Sequence, residues 1–374
     1  MRIRGAVLHS EGAARPYSES MPLQLAEIDL DPPGRGEILV RIEAAGLCHS
    51  DLSVINGDRS RPLPMLLGHE ASGRVIDCGP NVDDLGVGDR VVMTFLPRCG
   101  ECPACASDGR MPCERGSASN AAGTLLSGER RLHQNGRGLQ HHLGVSAFAT
   151  AAVVDRRSVV RVDEDVPADI AALLGCAILT GGGAILNAAP PTSGDRVCVV
   201  GLGGVGMAAL LTACAIDGVE VIGVDLDEGK RATALELGAA RVFAPDDARE
   251  ARVRAEVVVE AAGAAAAFET ALALTAPGGT TVTVGLPHPD ARVSVSPLLL
   301  VAEGRHVVGS YLGSAVPERD IPRYVELWRS GRLPIDRLIS AHRALSDINA
   351  GMDELADGRS IRQIIEFPTD GVGS

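Results

Sequence analysis

At 374 residues the chain is long enough for two domains, each with its own core. Apolar residues make up 45% of it but aromatics only 2%, so those cores are expected to be built from Val, Leu, Ile and Ala. The 35 basic and 48 acidic residues give a formal charge of −13 with no dense Lys/Arg cluster. That argues against nucleic acid as a partner, because phosphate binding needs a basic face and single strands need stacking rings.

The start, Met1-Arg2-Ile3-Arg4, is positive but no apolar run follows, so no signal peptide is expected and the protein is read as cytoplasmic. Nine cysteines in such a chain suggest reduced thiols and metal ligation rather than disulfides. The first third reads as β-rich. Glu37 to Ala44 alternates with Ile38, Val40 and Ile42 on one side, after the turn Asp31-Pro32-Pro33-Gly34. Further short strands are predicted at Gly73–Asp77 and Arg90–Met93. Cys48-His49-Ser50-Asp51 ends the first of these strands, and Gly68-His69-Glu70 precedes the next.

Cys99-x2-Cys102-x2-Cys105-x7-Cys113 is the most specific local signal. Four thiolates on one Gly- and Pro-bent loop suit a closed, tetrahedral structural zinc. The competing ferredoxin spacing ends in x3 and is followed by Pro; here the last gap is seven residues and Glu114 follows. Arg98, Arg110 and Arg115 are placed to offset the excess negative charge of such a site. Cys78, Cys198 and Cys214 lie in apolar patterns and read as core.

Gly175-Cys176-Ala177-Ile178-Leu179-Thr180-Gly181 sets another thiol in a small-residue bend. Cys48, His69 and Cys176 together make a Cys2His set that can hold a catalytic zinc with an open fourth place, although they are far apart in sequence and each, taken alone, reads more readily as a buried structural residue. From Arg196 the period changes. Strands are predicted at Arg196–Val200, Glu220–Val224, Arg241–Phe243, Val257–Glu260, Thr280–Val284 and His306–Tyr311. Helical patterns alternate with them at Val205–Ile216, Asp227–Leu237 (closed by Gly238) and Ala264–Thr275, which means a parallel, doubly wound sheet. Val197 to Ile216 carries no charge over 20 residues, but its glycines and strand-like start fit a buried strand–turn–helix better than a membrane span.

That turn is Gly201-Leu202-Gly203-Gly204-Val205-Gly206, a G-x-G-x-x-G sequence between an apolar strand and an apolar helix. Asp225 ends the next strand 19 residues later, where a carboxylate can bind both ribose hydroxyls, and Asp227 would repel a 2′-phosphate. NAD is therefore expected over NADP. In the tail, a short helix is predicted around Tyr324–Trp328 and a last strand at Arg362–Glu366, rejoining the first body.

With these residues assembled, the chain resembles the zinc-dependent alcohol dehydrogenases of the medium-chain dehydrogenase/reductase family over nearly its whole length. The likeness rests on Gly46-x-Cys48-His49-Ser50-Asp51, Gly68-His69-Glu70, the four-cysteine lobe, Gly175-Cys176-x3-Thr180-Gly181, Gly201–Gly206 with Asp225, and Ser360-Ile361-Arg362. The longer segment between Cys113 and Phe148, ending His141-His142-Leu143-Gly144-Val145-Ser146-Ala147-Phe148, looks like the dimeric animal, plant and glutathione-linked branch.

The resemblance implies an α/β protein with a GroES-like β-rich catalytic domain (1–177 and 322–374) and a Rossmann doubly wound domain (178–321). It implies two zincs, NAD(H), a small alcohol, aldehyde or ketone as substrate, no membrane, and a homodimer through the sheet edge near Arg305–Tyr311. Cys48, His69 and Cys176 would hold catalytic zinc, with Asp51 orienting His69 and Glu70 behind the metal. Ser50 would start proton removal and Phe95 would line the substrate pocket. His49 and Arg362 would lie at the pyrophosphate, Asp225 and Lys230 at the adenosine ribose, and Thr180 at the nicotinamide. Ser53 departs from the pattern, since many relatives of that branch carry a relay histidine there. Oxidation of a thiol–formaldehyde adduct, reduction of an iminium or enal, and a non-catalytic dinucleotide-binding role are the competing readings.

Overall fold

A computed structural model describes residues 1–368. The chain divides into two compact units. The first runs over Met1–Ser107 and Pro112–Cys176 and resumes at Ile339; the second comprises Ala177–Leu338 and the short piece Asp108–Met111.

The first unit is organised on the strand Glu37–Gly46. One edge pairs antiparallel with Ala71–Cys78. The other pairs with Ala151–Asp155 along residues 37–41 and with Arg362–Glu366 along residues 44–46, so the tail strand rejoins this body as expected. The strand is buried on both faces, not one. Ile38, Val40 and Ile42 enter one apolar cluster, whereas Leu39 joins Leu66, Val153 and Ile28 in another. The second cluster belongs to a sheet that includes Arg2–Leu8 and Leu23–Leu30, two strands that local alternation leaves unannounced.

The second unit is a six-stranded parallel sheet in the order 241–243, 220–224, 196–200, 255–260, 275–283, 306–309. This is the dinucleotide-binding order, with the first strand central and the chain reversing direction across the sheet beside it. The uncharged run Val197–Ile216 resolves into the strand Arg196–Val200, a glycine turn and the helix Gly204–Cys214. The helix Glu228–Glu236 is capped by Asp227, whose carboxylate accepts from the Lys230 N–H at 2.8 Å. The helix Ala265–Leu274 follows the fourth strand.

Among the described residues one helix, Ala168–Ala188, is long and apolar enough to cross a membrane, and it is mostly buried inside the protein. The tail helix is longer than expected, Pro317–Arg329, with Ile321, Tyr324 and Val325 buried. It belongs to the second unit, so that unit extends to Leu338 instead of ending at residue 321. An amphipathic helix announces its apolar face but not the sheet that will cover it.

Candidate metal centre and coenzyme site

Cys48 leaves the strand Glu37–Gly46 and becomes the N-cap of the helix His49–Ile55, so His49, Ser50 and Asp51 form a first helical turn and not a strand end. His69 and Glu70 fill the gap between the strands Met65–Leu66 and Ala71–Cys78. Cys176 lies in Leu174–Ile178, where the helix widens to the i→i+5 pattern that often marks functional positions. Gly175 is required there, because a Cβ at that position would stand 2.0 Å from the Met93 carbonyl oxygen. All of these residues belong to the first unit.

The ligand atoms of Cys48, His69, Glu70 and Cys176 lie within 4.8 Å of one another, and all four residues are buried. The Cys176 Sγ to His69 Nε2 distance is 3.6 Å. Zinc–sulfur and zinc–nitrogen bonds in a tetrahedron place those atoms about 3.6 Å apart, so the donor set fits the ion. His69 Nδ1 meets Asp51 Oδ1 at 3.1 Å, which puts the ring proton on Nδ1 and leaves the Nε2 lone pair for a metal.

The charges around this cluster are strongly interdependent. The hydrogen bond from Cys176, against the cost of burial, and the charges of Arg362 and His69 hold the Cys48 thiol well below its ordinary range. The Cys48 thiolate and burial in turn hold the proton on Cys176. Of the two facing thiols Cys48 is thus the readier to ionise, and a dication bound there would favour the thiolate of both. Burial would lower His69, but Asp51 and the Cys48 thiolate raise it well above the usual value. Burial pushes Glu70 up to about 7, with Arg362 pulling the other way. Glu70 Oε1 is 3.7 Å from Arg362 Nε, and neither Glu70 oxygen has a hydrogen-bond partner. Two orphaned carboxylate oxygens in a dry cluster are a further mark of a cation site.

The four-cysteine loop is equally specific. Cys99 Sγ to Cys105 Sγ and Cys102 Sγ to Cys113 Sγ are both 3.9 Å. A disulfide needs about 2.05 Å, whereas the edge of a zinc–thiolate tetrahedron is about 3.8 Å. Cys113 Sγ caps the helix Glu114–Ala122 and accepts from the N–H groups of Cys99 and Gly116, each at 3.3 Å. A backbone N–H from Glu114 brings Cys102 down to about 6, as a ligating thiolate requires. Of the three arginines expected to offset the charge, Arg98 donates to the Cys105 carbonyl at 2.7 Å. Arg115 is instead engaged by Glu101 at 3.1 Å, while Arg157, which was not among the three, reaches the Cys99 carbonyl at 3.5 Å.

In the second unit the glycine turn opens the helix Gly204–Cys214 with no side-chain cap. A Cβ at Gly206 would stand 1.8 Å from the Gly201 carbonyl oxygen, whereas one at Gly203 would meet nothing within 4 Å. The first glycine spacing closes the turn and the second leaves an open cradle at a helix N-terminus, which fits a pyrophosphate. Asp225 holds this turn from the neighbouring strand, accepting from Leu202 N–H at 2.6 Å and Asp227 N–H at 2.9 Å. Arg231 donates to the Asp225 and Leu226 carbonyls at 2.8 Å, a contact the sequence did not announce. Thr180 is buried in the helix Leu179–Gly183, and Lys230 is half-buried in the first turn of its helix.

Phe95 packs edge-on against His69 with ring centroids 5.6 Å apart. Ser50 is half-buried and His49 exposed. Ser53 Oγ donates to the Ser50 carbonyl oxygen at 3.0 Å, so it is tied into its own helix. Arg362 is buried; its Nη1 donates to the Leu47 carbonyl at 3.3 Å, while Nε and Nη2 have no hydrogen-bond partner. One functional contact was missed from sequence. His142, seen only as part of a long segment, places Nδ1 3.1 Å from Asp51 Oδ1. Its adjacent histidine, His141, is held neutral by burial, down to about 3.

Two family models match, described as an alcohol dehydrogenase GroES-like domain over residues 34–164 and a zinc-binding dehydrogenase over residues 204–330. Alcohol dehydrogenase B of Mycobacterium tuberculosis is 33% identical over 99% of this chain and 100% of its own. The NDMA-dependent alcohol dehydrogenase of Amycolatopsis methanolica is 34% identical over 99% of this chain and 100% of its own. The crystal structure of benzyl alcohol dehydrogenase from Acinetobacter calcoaceticus superposes with a TM-score of 0.90 at 30% identity, covering 98% of this chain and 100% of that one. With a Cys2His cluster, a four-thiolate lobe and a glycine turn closed by Asp225 on one full-length likeness, the chain belongs to the zinc-dependent alcohol dehydrogenases of the medium-chain dehydrogenase/reductase family.

Proposed function

We propose that the protein transfers hydride between an alcohol and NAD, using one zinc at Cys48, His69 and Cys176 and a second, structural zinc at Cys99, Cys102, Cys105 and Cys113. The observation that carries this reading is the 3.6 Å approach of Cys176 Sγ to His69 Nε2 in a buried set of four donors. A zinc held there acidifies an alcohol or polarises a carbonyl, and the nicotinamide exchanges the hydride. Two thiolates and a neutral imidazole balance a dication, and Arg362 balances Glu70 behind it. The partnerless Nη2 of Arg362 supports a contact with an anion such as the pyrophosphate, alongside His49. Ser50 would take the alcohol's proton only while passing its own hydroxyl proton on, to water or to His49.

Ser53 cannot take that proton further, because its hydroxyl is no base near neutral pH and is already spent on the Ser50 carbonyl. Ser53→His supplies an imidazole that is a base above about pH 6.5. Oxidation by this variant rises relative to wild type between about pH 6 and 8 and converges with it at higher pH, where hydroxide and water suffice. Superimposable pH–rate profiles would rule the relay out.

The preference for NAD rests on Asp225 with Asp227. Asp225→Gly removes the ribose acceptor and raises the Michaelis constant for NAD about 10-fold or more, with kcat little changed, as expected for uniform binding energy. An unchanged constant, or better use of NADP by the wild-type protein, overturns the assignment. The deciding assay is a panel of primary, secondary and aromatic alcohols, benzyl alcohol included, with NAD, NADP or NDMA as acceptor. NDMA belongs there because a relative is dependent on it. Turnover with NDMA but not with added NAD would favour a coenzyme that stays bound. The exposed edge strand His306–Gly309 supports a homodimer of the kind seen in the branch the long Cys113–Phe148 segment resembles.

A further inference from the structure

Asp51 is fully buried, yet its two carboxylate oxygens are used very unequally. Oδ1 is approached at 3.1 Å by three donors: the Gly68 N–H, His69 Nδ1 and His142 Nδ1. Oδ2, equally buried, has no partner. His142 Nδ1 is likewise buried with no aligned hydrogen bond; its 3.1 Å approach to Oδ1 is a close polar contact. The two imidazoles stand edge to face with centroids 5.4 Å apart and an interplanar angle of 90°.

The backbone around His142 is built to hold that ring. Its N–H donates to Ser146 Oγ at 2.8 Å, and its carbonyl accepts from Val145 and Ser146. Leu143, Gly144 and Ser146 all have positive φ. The turn then runs alongside the segment that leads to His69, with Ala147 N–H donating to the Gly68 carbonyl and Phe148 N–H to the Leu67 carbonyl. A space-filling residue would need none of this, nor a nitrogen 3.1 Å from a buried carboxylate oxygen.

We infer that His142 is a positioning residue for the catalytic metal: its Nδ1–H clamps Asp51 Oδ1 so that this oxygen stays on His69 Nδ1–H and the His69 Nε2 lone pair stays on the ion. The inference rests on the zinc reading of Cys48, His69 and Cys176. An aspartate with two free rotational choices would share its oxygens among its donors. A second imidazole on the same oxygen, with Gly68 below it, removes that freedom and fixes the ligand's tautomer and tilt.

The test uses the zinc-loaded protein and reads the rate at which each zinc is lost to a chelator, together with the visible spectrum after cobalt replaces the catalytic zinc. His142→Leu removes the donor. His142→Gln keeps size and polarity but moves the amide away from the Nδ1 position, and it serves if the leucine variant does not fold. His142→Asn returns an N–H close to that position. Loss of the catalytic zinc is expected to be about 10- to 100-fold faster in the leucine and glutamine variants, with altered cobalt bands, and near wild type in the asparagine variant. The four-cysteine zinc leaves at its wild-type rate in all three. In an Asp51→Asn background His142→Leu adds little, because the effect travels through Asp51. Unchanged release in the glutamine variant, equal damage by asparagine and leucine, or a full effect in the Asp51→Asn background overturns the inference while leaving the zinc reading intact. A wild-type protein that binds only the four-cysteine metal overturns both.

Discussion

His69→Ala is expected to lower kcat/KM for alcohol oxidation by at least ~10⁴-fold, about 5.5 kcal/mol of transition-state stabilisation. The magnitude follows from where His69 stands. It is the one nitrogen donor among the four buried groups, and Asp51 holds its ring so that Nε2 faces Cys176 at 3.6 Å. Without it, two thiolates and Glu70 surround the site, a set whose charge exceeds that of a dication and whose geometry leaves no ordered vacant corner. Metal content should fall from two zincs per chain to one, with the remaining ion in the four-cysteine loop. The second unit carries its own core around Cys198, Ile222, Val258 and Leu274, so NAD binding by the variant should persist. Retention of two zincs and near-normal turnover would show that the chemistry does not run through this cluster.

The second large effect is on stability. Cys113→Ala should lower the melting temperature by about 10 °C or more and release the structural zinc, and chelation of that zinc in the wild-type protein should do the same. The loop from Cys99 to Cys113 has almost no apolar core of its own. Its buried cluster consists of Cys99, Cys113 and Leu126, with Cys102 and Cys105 packed against them. An ion held by the four thiolates would therefore take the place of a hydrophobic core, as small lobes commonly require. Cys113 is also the cap of the helix Glu114–Ala122 and the acceptor for two backbone N–H groups. Its removal leaves those donors unpaired as well as opening the tetrahedron. A variant that melts with the wild type and keeps both metals would mean that the loop is held by something other than the ion.

The negative cluster behind the catalytic donors has a mechanistic logic of its own. Burial pushes Glu70 up and Arg362, 3.7 Å away, pulls it back, a balance that leaves it at about 7. Arg362 is itself buried, and against the cost of that burial Glu70, Cys48 and Cys176 hold it above its ordinary range. Such a pair is costly to break from one side, since the remaining charge is stranded in a dry interior. It supplies a fixed background charge against which the thiolates and an incoming dication balance.

Much of this was legible in the sequence, and what was legible was local. The Cys99–Cys113 spacing, the strand–glycine turn–helix at 196–214 and Asp225 at the next strand end are all set by residues within about one supersecondary unit, so periodicity and spacing suffice to find them. The strands 196–200, 220–224 and 255–260 of the second unit were found for the same reason: continuous buried apolar runs are hard to mistake. The convergence of Cys48, His69 and Cys176 was named by resemblance, because 21 and 107 residues separate them and no spacing rule spans such gaps. Tertiary structure decided the rest. It paired Glu37–Gly46 with three distant strands, buried that strand on two faces, assigned the helix Pro317–Arg329 to the second unit, and set His142 and Gly68 on the same Asp51 oxygen as His69. Each of these depends on which buried polar or apolar face finds which partner, a choice made by burial over the whole domain and not by any short run of residues.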